Sequence, residues 1–157
     1  NLYELGVRHF SINSAAIRTP ALLKEVSGKY GSDSLILSVD VKKAGDRYHV
    51  FLGAGKEDTG LDAKEWIEQC VNLGAGTVVI NSIDTDGVRG GFDLEMLNIL
   101  TEDVNCNVVA SGGAGRKQDF LEVFRKIDKV TGALAASIFH YDLVSINEIK
   151  ELLENAE

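Results

Sequence analysis

Two spacings of apolar residues alternate along the 157-residue chain. Short apolar runs between turn residues are typical of buried strands, whereas apolar residues three or four positions apart are typical of amphipathic helices. The predicted strands are Val7–Asn13, Leu35–Val39, Thr77–Asn81, the run that begins at Val108, and Gly132–Ser137. A helical pattern follows each of them, so five strands alternate with five helices. This order predicts an α/β protein with a parallel sheet, and the apolar run Leu35–Val39 predicts a strand buried on both faces.

Residues with strong capping preferences mark the start of several helices. Thr19 is the predicted N-cap of the first helix, with Pro20 at its first position. Asp62 and Ser145 are each followed three residues later by a glutamate, which is the spacing of a capping box.

One segment, Val41–Leu52, interrupts the alternation of strands and helices. The turn residues Ala44-Gly45-Asp46 predict that Arg47–Phe51 returns as an antiparallel arm, which makes a small hairpin on the rim of the sheet. Thr59 lies in the predicted loop after this hairpin. It is a candidate for contacting a substrate, although a loop threonine is more often only solvated.

A polar residue closes each predicted strand. These residues are Asn13, Asp40, Ser82, Ser111 and Ser137. Because the carboxyl ends of parallel strands meet at one edge, where α/β proteins build their sites, we expect these side chains to face a common site.

The segment Val108–Gly115 has the composition of a phosphate-binding turn. Its apolar run ends at Ser111, and three of the next four residues are glycine. Glycines permit positive φ and bring backbone N–H groups close to an anion, and the positive end of the following helix dipole would add to the attraction. The alternative is a tight strand-to-helix connection without a ligand.

Charge and cysteine content narrow the function classes. The net charge of −8 argues against nucleic acid or an anionic membrane as the main partner. With no long apolar segment or targeting signal, we expect a cytoplasmic protein. Cys70 and Cys106 form no Cys-x-x-Cys pair, so they are predicted to be reduced thiols.

The number of β/α units suggests part of a larger fold. Five units are just over half of a (β/α)8 barrel, which typically has about 250 residues, and the chain begins with Asn1 rather than methionine. We therefore expect residues 1–157 to be a single domain, the C-terminal part of a phosphate-binding (β/α)8 barrel with the N-terminal strands absent.

Several segments together carry a family resemblance. Val7–Ala16, Leu37–Lys42, Ser82–Gly87, Ala110–Gly115 and Ala135–His140, in this order and spacing, resemble the cyclase subunit of imidazole glycerol phosphate synthase. The resemblance implies a (β/α)8 barrel that receives ammonia from a glutaminase partner, and this chain would be its part from the fourth strand to the last helix. Its phosphorylated substrate would be a ribulosyl aminoimidazole carboxamide ribonucleotide. The products would be imidazole glycerol phosphate and aminoimidazole carboxamide ribotide, in a step of histidine biosynthesis that also feeds purine synthesis.

The resemblance also implies roles for individual residues. Asp40 matches the family's general acid/base on the fifth barrel strand, whose partner aspartate would lie on the first strand. The family has two phosphate sites. The residues that match the first site are Ser111, Gly112, Gly113, Ala136 and Ser137, and Asp86 and Gly87 lie in the loop beside that site. Asn13 and Ser14 match part of the second site. The resemblance implies no cofactor and no metal, although the spacing of Asp84 and Asp86 would suit a divalent cation if a third ligand were present.

Two positions depart from the family's pattern. A lysine and a glutamate that help to gate ammonia entry are replaced by His9 and Thr77, which leaves coupling to the glutaminase open.

Three functions therefore remain open. The first is the cyclase. The second is a related barrel enzyme, either a paralogue that passes ammonia to a surface-sugar pathway or the sugar isomerase that precedes the cyclase, although Ser82–Gly87 favours the cyclase over the isomerase. The third is an inactive phosphate-binding half-barrel fragment, which we expect to self-associate through its exposed edge strands.

Overall fold

Parallel strands joined by helices form the framework of the computed structural model, which describes residues 2–156. The strands are β1 (Phe10–Ile12), β2 (Leu35–Ala44), β3 (Arg47–Leu52), β4 (Glu57–Asp62), β5 (Thr77–Ser82), β6 (Asn107–Ser111) and β7 (Val130–Leu134). The helices are α1 (Ser14–Arg18), α2 (Ala21–Tyr30), α3 (Ala63–Asn72), α4 (Leu94–Thr101), α5 (Lys117–Lys126), α6 (Ser137–His140) and α7 (Ile146–Glu154), and a 3₁₀ turn covers Ser32–Ser34.

Five of these strands are parallel and follow one another in chain order. β1 pairs with β2, β2 with β5, β5 with β6, and β6 with β7, all in parallel. A helix or helix pair connects each successive parallel strand, as in the units of a (β/α)8 barrel. The predicted α/β class with five parallel strands is therefore confirmed.

The predicted hairpin is present but larger than expected. β2 continues beyond Val39 and pairs in antiparallel fashion with β3, with Ala44 opposite Arg47 around the turn. β3 then pairs with the additional strand β4, whose sequence Glu-Asp-Thr-Gly-Leu-Asp has no apolar alternation. Thr59 consequently lies within a strand, and its predicted placement in a loop is wrong.

Burial alternates along the parallel strands. In β2 the odd-numbered side chains from Leu35 to Val41 are buried, and the even-numbered ones between them are only partly buried. In β5 the even-numbered side chains from Val78 to Ser82 are buried instead. The prediction that Leu35–Val39 is buried on both faces is therefore wrong, because the helices cover only one face of the sheet.

The helix-covered face carries the hydrophobic core. Each major helix contributes a buried side chain to one cluster with the strands, among them Leu23 of α2, Ile67 of α3, Leu97 of α4, Val123 of α5 and Ile149 of α7. Trp66 of α3 is buried in the same cluster. This packing fixes the strands in register, and with them the carboxyl edge of the sheet.

Several element boundaries differ from the sequence expectation. β1 has three residues instead of spanning Val7–Asn13, because residues 7–9 form no strand pairing and Asn13 is the N-cap of α1. Pro20, not Thr19, occupies the N-cap of α2. β7 begins at Val130 and ends at Leu134, so the predicted strand Gly132–Ser137 is displaced and Ser137 instead begins α6.

The other predicted caps are confirmed. The Asp62 carboxylate accepts hydrogen bonds from the backbone N–H groups of Lys64 and Glu65. Ser145 and Glu148 form a reciprocal capping box at the start of α7. These caps fix where α3 and α7 begin.

Both cysteines are free thiols, as predicted. Burial raises the pKa of Cys70 to about 12 and also raises the pKa of Cys106. Because only the thiolate is nucleophilic, we expect both to react with iodoacetamide at pH 8 far more slowly than a free thiol, with half-buried Cys106 reacting before buried Cys70. Mass spectrometry of the alkylated protein, with a guanidinium-unfolded sample as reference, measures both rates. Modification of Cys70 in native buffer at the unfolded rate would contradict this expectation.

None of the helices within residues 2–156 is long and apolar enough to cross a membrane.

Candidate functional site

A cavity of about 360 Å³ opens at the carboxyl ends of the parallel strands. It is lined by Asn13, Ser38, Val39, Asp40, Val79, Asn81, Asp86, Gly87, Ser111, Gly112, Gly113, Ala114, Leu134, Ala135, Ala136 and Ser137. The fold thus brings together the predicted site residues with three exceptions, Ser14, Thr59 and Ser82. The expectation that the strand ends converge on one site holds for residues drawn from five strands.

Asp40 lines this cavity and lies between two side-chain amides. Its Oδ1 accepts a hydrogen bond of 3.0 Å from Nδ2 of Asn81, and its Oδ2 accepts one of 3.3 Å from Nδ2 of Asn13. Both donors are neutral, so they orient the carboxylate without adding charge. The remaining lone pairs of Asp40 are available for a proton or a ligand.

Asn81 is a site residue that the sequence analysis missed. Strand register places Asp40, Asn81 and Ser111 side by side on β2, β5 and β6. The Ser111 hydroxyl donates to Oδ1 of Asn81 at 3.1 Å, which directs the Asn81 NH₂ group towards Asp40. Ser111 therefore fixes the orientation of Asn81, and Asn81 fixes that of Asp40.

Ser82, the predicted polar end of β5, serves another purpose. It is buried on the helix-covered face, where its hydroxyl lies 3.4 Å from Oδ2 of Asp93 at the start of α4. Alternation along the strand therefore places Asn81, and not Ser82, in the cavity. The parity of burial along β5 distinguishes Asn81 from Ser82, but the apolar run in the sequence does not show which face the helices cover.

The glycine-rich turn after β6 packs too closely for side chains. Gly113 has a φ of +104°, and a Cβ there would collide with the Gly91 carbonyl oxygen and lie 2.9 Å from the Thr85 side chain. Gly112 has a φ of +87°, and a Cβ there would lie 2.7 Å from the Ser82 carbonyl oxygen. The turn can form only with glycine at these positions.

A buried carboxylate supports this turn from the side of α5. Oδ2 of Asp119 accepts from the N–H groups of Gly115 and Arg116, at 2.8 and 3.0 Å. Its Oδ1 accepts from Nε of Arg116 at 3.0 Å. Asp119 was not among the predicted residues, although an acidic residue in the first turn of a helix is the relevant sequence signal.

The backbone of the turn retains hydrogen-bonding capacity. The hydrogen bonds described for residues 2–156 include none donated by the N–H groups of Gly113 or Ala114, and both residues are buried. Buried backbone N–H groups are usually paired, so a ligand with oxygen acceptors suits this position.

The side of the cavity near β1 also holds an unpaired polar atom. Oδ1 of Asn13 is buried and has no hydrogen-bond partner among the described residues. Since Nδ2 of the same amide binds Asp40, this oxygen is free to accept a hydrogen bond from a ligand hydroxyl.

Thr59 and Ser14 lie outside the cavity lining. The Thr59 hydroxyl donates to the Val50 carbonyl oxygen at 2.7 Å and accepts from the Leu61 N–H at 3.2 Å, so it stabilises the β3–β4 pair. Ser14 is the first residue of α1, directly after Asn13.

Asp84, considered as a metal ligand with Asp86, binds the hairpin instead. Its carboxylate accepts a 2.8 Å hydrogen bond from the Lys43 N–H. Within residues 2–156, no group of three or more His, Cys, Asp or Glu side chains is arranged to hold a metal ion.

The two departures from the family pattern lie at the opposite end of the sheet. Thr77 is the first residue of β5, and His9 precedes β1, so both are at the amino ends of parallel strands. Neither lines the cavity described above.

The chain is similar in sequence to known proteins of one family. A family model described as "Histidine biosynthesis protein" matches residues 1–145. The chain is 44% identical over 156 residues to imidazole glycerol phosphate synthase subunit HisF of Streptococcus sanguinis strain SK36, covering 99% of this chain and 62% of the relative. It is 43% identical over 154 residues to the same subunit of Hydrogenobaculum sp. strain Y04AAS1, covering 98% of this chain and 61% of the relative.

These matches confirm the resemblance found from the motifs. The chain spans about three fifths of the length of the curated relatives it matches. Its own sequence, matched by the family model over residues 1–145, belongs to the histidine biosynthesis protein family.

Proposed function

We propose that the protein carrying this chain catalyses the cyclase step of histidine biosynthesis. In this reaction ammonia and a ribulosyl aminoimidazole carboxamide ribonucleotide give imidazole glycerol phosphate and aminoimidazole carboxamide ribotide. The observation that carries the proposal is the position of Asp40, held by Asn13 and Asn81 in a cavity that also contains the glycine-rich turn. The relatives named as synthase subunits support the same assignment.

Asp40 supplies the proton transfers that this chemistry needs. Ammonia addition and ring closure each require a group that can give and take a proton next to the reacting atoms. Asp40 and Asp86 are the charged side chains that line the cavity within the described part of the chain, and Asp40 is the one held by two amide donors. We assign general acid/base catalysis to Asp40.

The glycine-rich turn is proposed to bind one phosphate of the substrate. Gly112, Gly113, Ala136 and Ser137 line the same cavity, so two loops can contribute to binding the same group. The backbone N–H groups of Gly113 and Ala114 and the Ser137 hydroxyl are the proposed donors. Ser111 contributes indirectly, because its hydroxyl is directed at Asn81.

The β1–α1 turn is proposed to contact the other half of the substrate. The unpaired Oδ1 of Asn13 would accept from a sugar hydroxyl, and Ser14, beyond the cavity lining, would contribute to the second phosphate site. A substrate with a phosphate at each end has the length that such separated contacts require.

The domain organisation, the ammonia source and the location of the protein are part of the same proposal. We treat residues 1–157 as one domain because a single cluster of buried side chains extends across the described chain. A glutaminase subunit is the proposed ammonia source, with coupling altered by His9 and Thr77, and the cytoplasm is the proposed location.

Ammonium-dependent turnover tests the proposal. Purified protein is mixed with the ribulosyl aminoimidazole carboxamide ribonucleotide and ammonium, and release of aminoimidazole carboxamide ribotide is followed by chromatography. We expect product only when ammonium is present. Free ammonium bypasses the glutaminase, so the altered gate positions do not affect this result.

Two other outcomes would favour the alternatives. Ammonium consumption with a different sugar nucleotide, and none with this substrate, would indicate the surface-sugar paralogue. Phosphate binding without turnover, in a protein that self-associates, would indicate the phosphate-binding half-barrel. Either result would contradict the cyclase assignment.

A further inference from the structure

The segment 85–91 lies directly against the glycine-rich turn. The Gly91 N–H donates to the Gly113 carbonyl oxygen at 2.9 Å, and the Thr85 hydroxyl donates to the Gly112 carbonyl oxygen at 3.2 Å. The Arg89 carbonyl group is so close to Gly115 that a Cβ there would collide with it. The position of this segment therefore determines the position of the turn.

Arg89 holds an unfavourable backbone conformation within this segment. Its φ is +60°, in the left-handed region that glycine adopts without strain. Glycines occupy positions 87, 90 and 91 around it, so glycine is accepted in this segment. An arginine at position 89 indicates that its side chain contributes something that outweighs the backbone strain.

That side chain stacks on an aromatic ring from another loop. The guanidinium carbon of Arg89 lies 4.6 Å from the centroid of the Tyr141 ring. The Tyr141 N–H donates to the Ser137 carbonyl oxygen at 3.1 Å, so Tyr141 is tied to the second loop of the cavity. The stack therefore links the segment that supports Gly112 and Gly113 to the segment that carries Ala136 and Ser137.

We propose that Arg89 and Tyr141 are positioning residues that hold the two loops of the phosphate site at their binding separation. This inference rests on the proposed phosphate site and adds two residues outside the cavity lining. Neither residue contacts the phosphate in this assignment. Their effect on binding is exerted through the glycine-rich turn and Ser137.

Inorganic phosphate binding, measured by titration calorimetry on the purified protein, tests the pair. Both side chains are exposed, so Arg89→Gly and Tyr141→Leu should each weaken binding about two- to fivefold, the equivalent of one exposed cation–π contact. Combining them should weaken binding no further than either alone, because both remove the same contact. Tyr141→Phe keeps the ring and should bind like the unmodified protein.

Thermal unfolding separates this role from a general loss of stability. Arg89→Gly relieves the positive φ, so its melting temperature should be unchanged or higher while its phosphate affinity falls. Arg8→Ala is the matched control, because Arg8 also stacks on a tyrosine ring, 4.5 Å from Tyr3, but precedes β1 at the opposite end of the sheet. It should leave phosphate affinity unchanged.

The outcomes distinguish the inference from the proposed function. Phosphate binding that is unaffected by Arg89→Gly and Tyr141→Leu would overturn the positioning role and leave the phosphate site standing. Absence of phosphate binding in the unmodified protein would overturn the proposed phosphate site, and the inference with it. Additive losses in the double variant would show that the two residues act separately, which also overturns the pair.

Discussion

Changing Asp40 to asparagine is expected to lower the ammonium-dependent turnover rate by a factor of about 10² to 10⁴, the usual contribution of a positioned general acid or base. Asparagine keeps the shape of the side chain but cannot exchange a proton in the required range. The fold should persist, because Asn13 can rotate its amide and offer the unpaired Oδ1 to the new NH₂ group. We expect a stability loss of about 1 kcal/mol, the value of one neutral hydrogen bond.

Steady-state kinetics at saturating ammonium, with urea unfolding of the same samples, measures both effects. Asp33→Asn is the matched control, since it makes the same chemical change in the exposed 3₁₀ turn before β2 and should leave the rate unchanged. Asn81→Ala leaves the Asp40 carboxylate in place but removes one of its two donors, and about a tenfold loss is expected. A rate near that of the unmodified protein for Asp40→Asn would assign Asp40 a structural role.

The sequence was sufficient to predict the framework that holds Asp40. Five apolar runs separated by helical patterns gave the parallel order of the strands, since each strand needs a crossover before the next parallel one. Turn residues around Gly45 gave the hairpin, because a glycine at positive φ permits the reversal there. These signals depend only on residues close together in the sequence, so they can be read without knowledge of the tertiary contacts.

Features decided by tertiary contacts were missed. Apolar runs do not reveal that helices cover only one face of the sheet, so the choice between Asn81 and Ser82 could not be made. β4 has a polar sequence and forms because it pairs with the edge of β3. Thr59 therefore lies in a strand and not in the predicted loop. The one-turn helix α6, which begins at Ser137, is too short to have a periodic signal.

Asp119 and the Arg89–Tyr141 stack were missed from the sequence for a different reason. Both act on the glycine-rich turn from the flanks, and neither belongs to a strand end. Asp119 is only 4% exposed, although an aspartate in the first turn of a helix would ordinarily be read as a surface cap. Sequence analysis could locate residues that line the cavity, but not those that hold them in place.

Changing Gly113 to alanine is expected to have the largest effect on phosphate binding. The alanine would have to adopt a φ of +104°, and its Cβ would collide with the Gly91 carbonyl oxygen. The 2.9 Å hydrogen bond between the Gly91 N–H and the Gly113 carbonyl oxygen would then have to lengthen or break. Strain and the lost bond together predict a destabilisation of about 3 kcal/mol. The collision would also displace the N–H donors of the turn. Loss of even one charge-assisted hydrogen bond to the phosphate would weaken phosphate binding about tenfold or more.

Gly45→Ala provides the comparison that isolates the close approach. Gly45 also has a positive φ, +68°, but a Cβ there would meet no atom within 4 Å. Its replacement should cost about 1 kcal/mol from backbone strain alone and leave phosphate affinity unchanged. Urea unfolding and phosphate titration of both variants separate strain from contact. Equal stability losses in the two variants, with equal phosphate affinities, would mean that the contact between segment 85–91 and the glycine-rich turn does not require glycine at position 113. In that case backbone conformation alone would account for glycine there, and the N–H groups of Gly113 and Ala114 would lose their assigned role in binding phosphate.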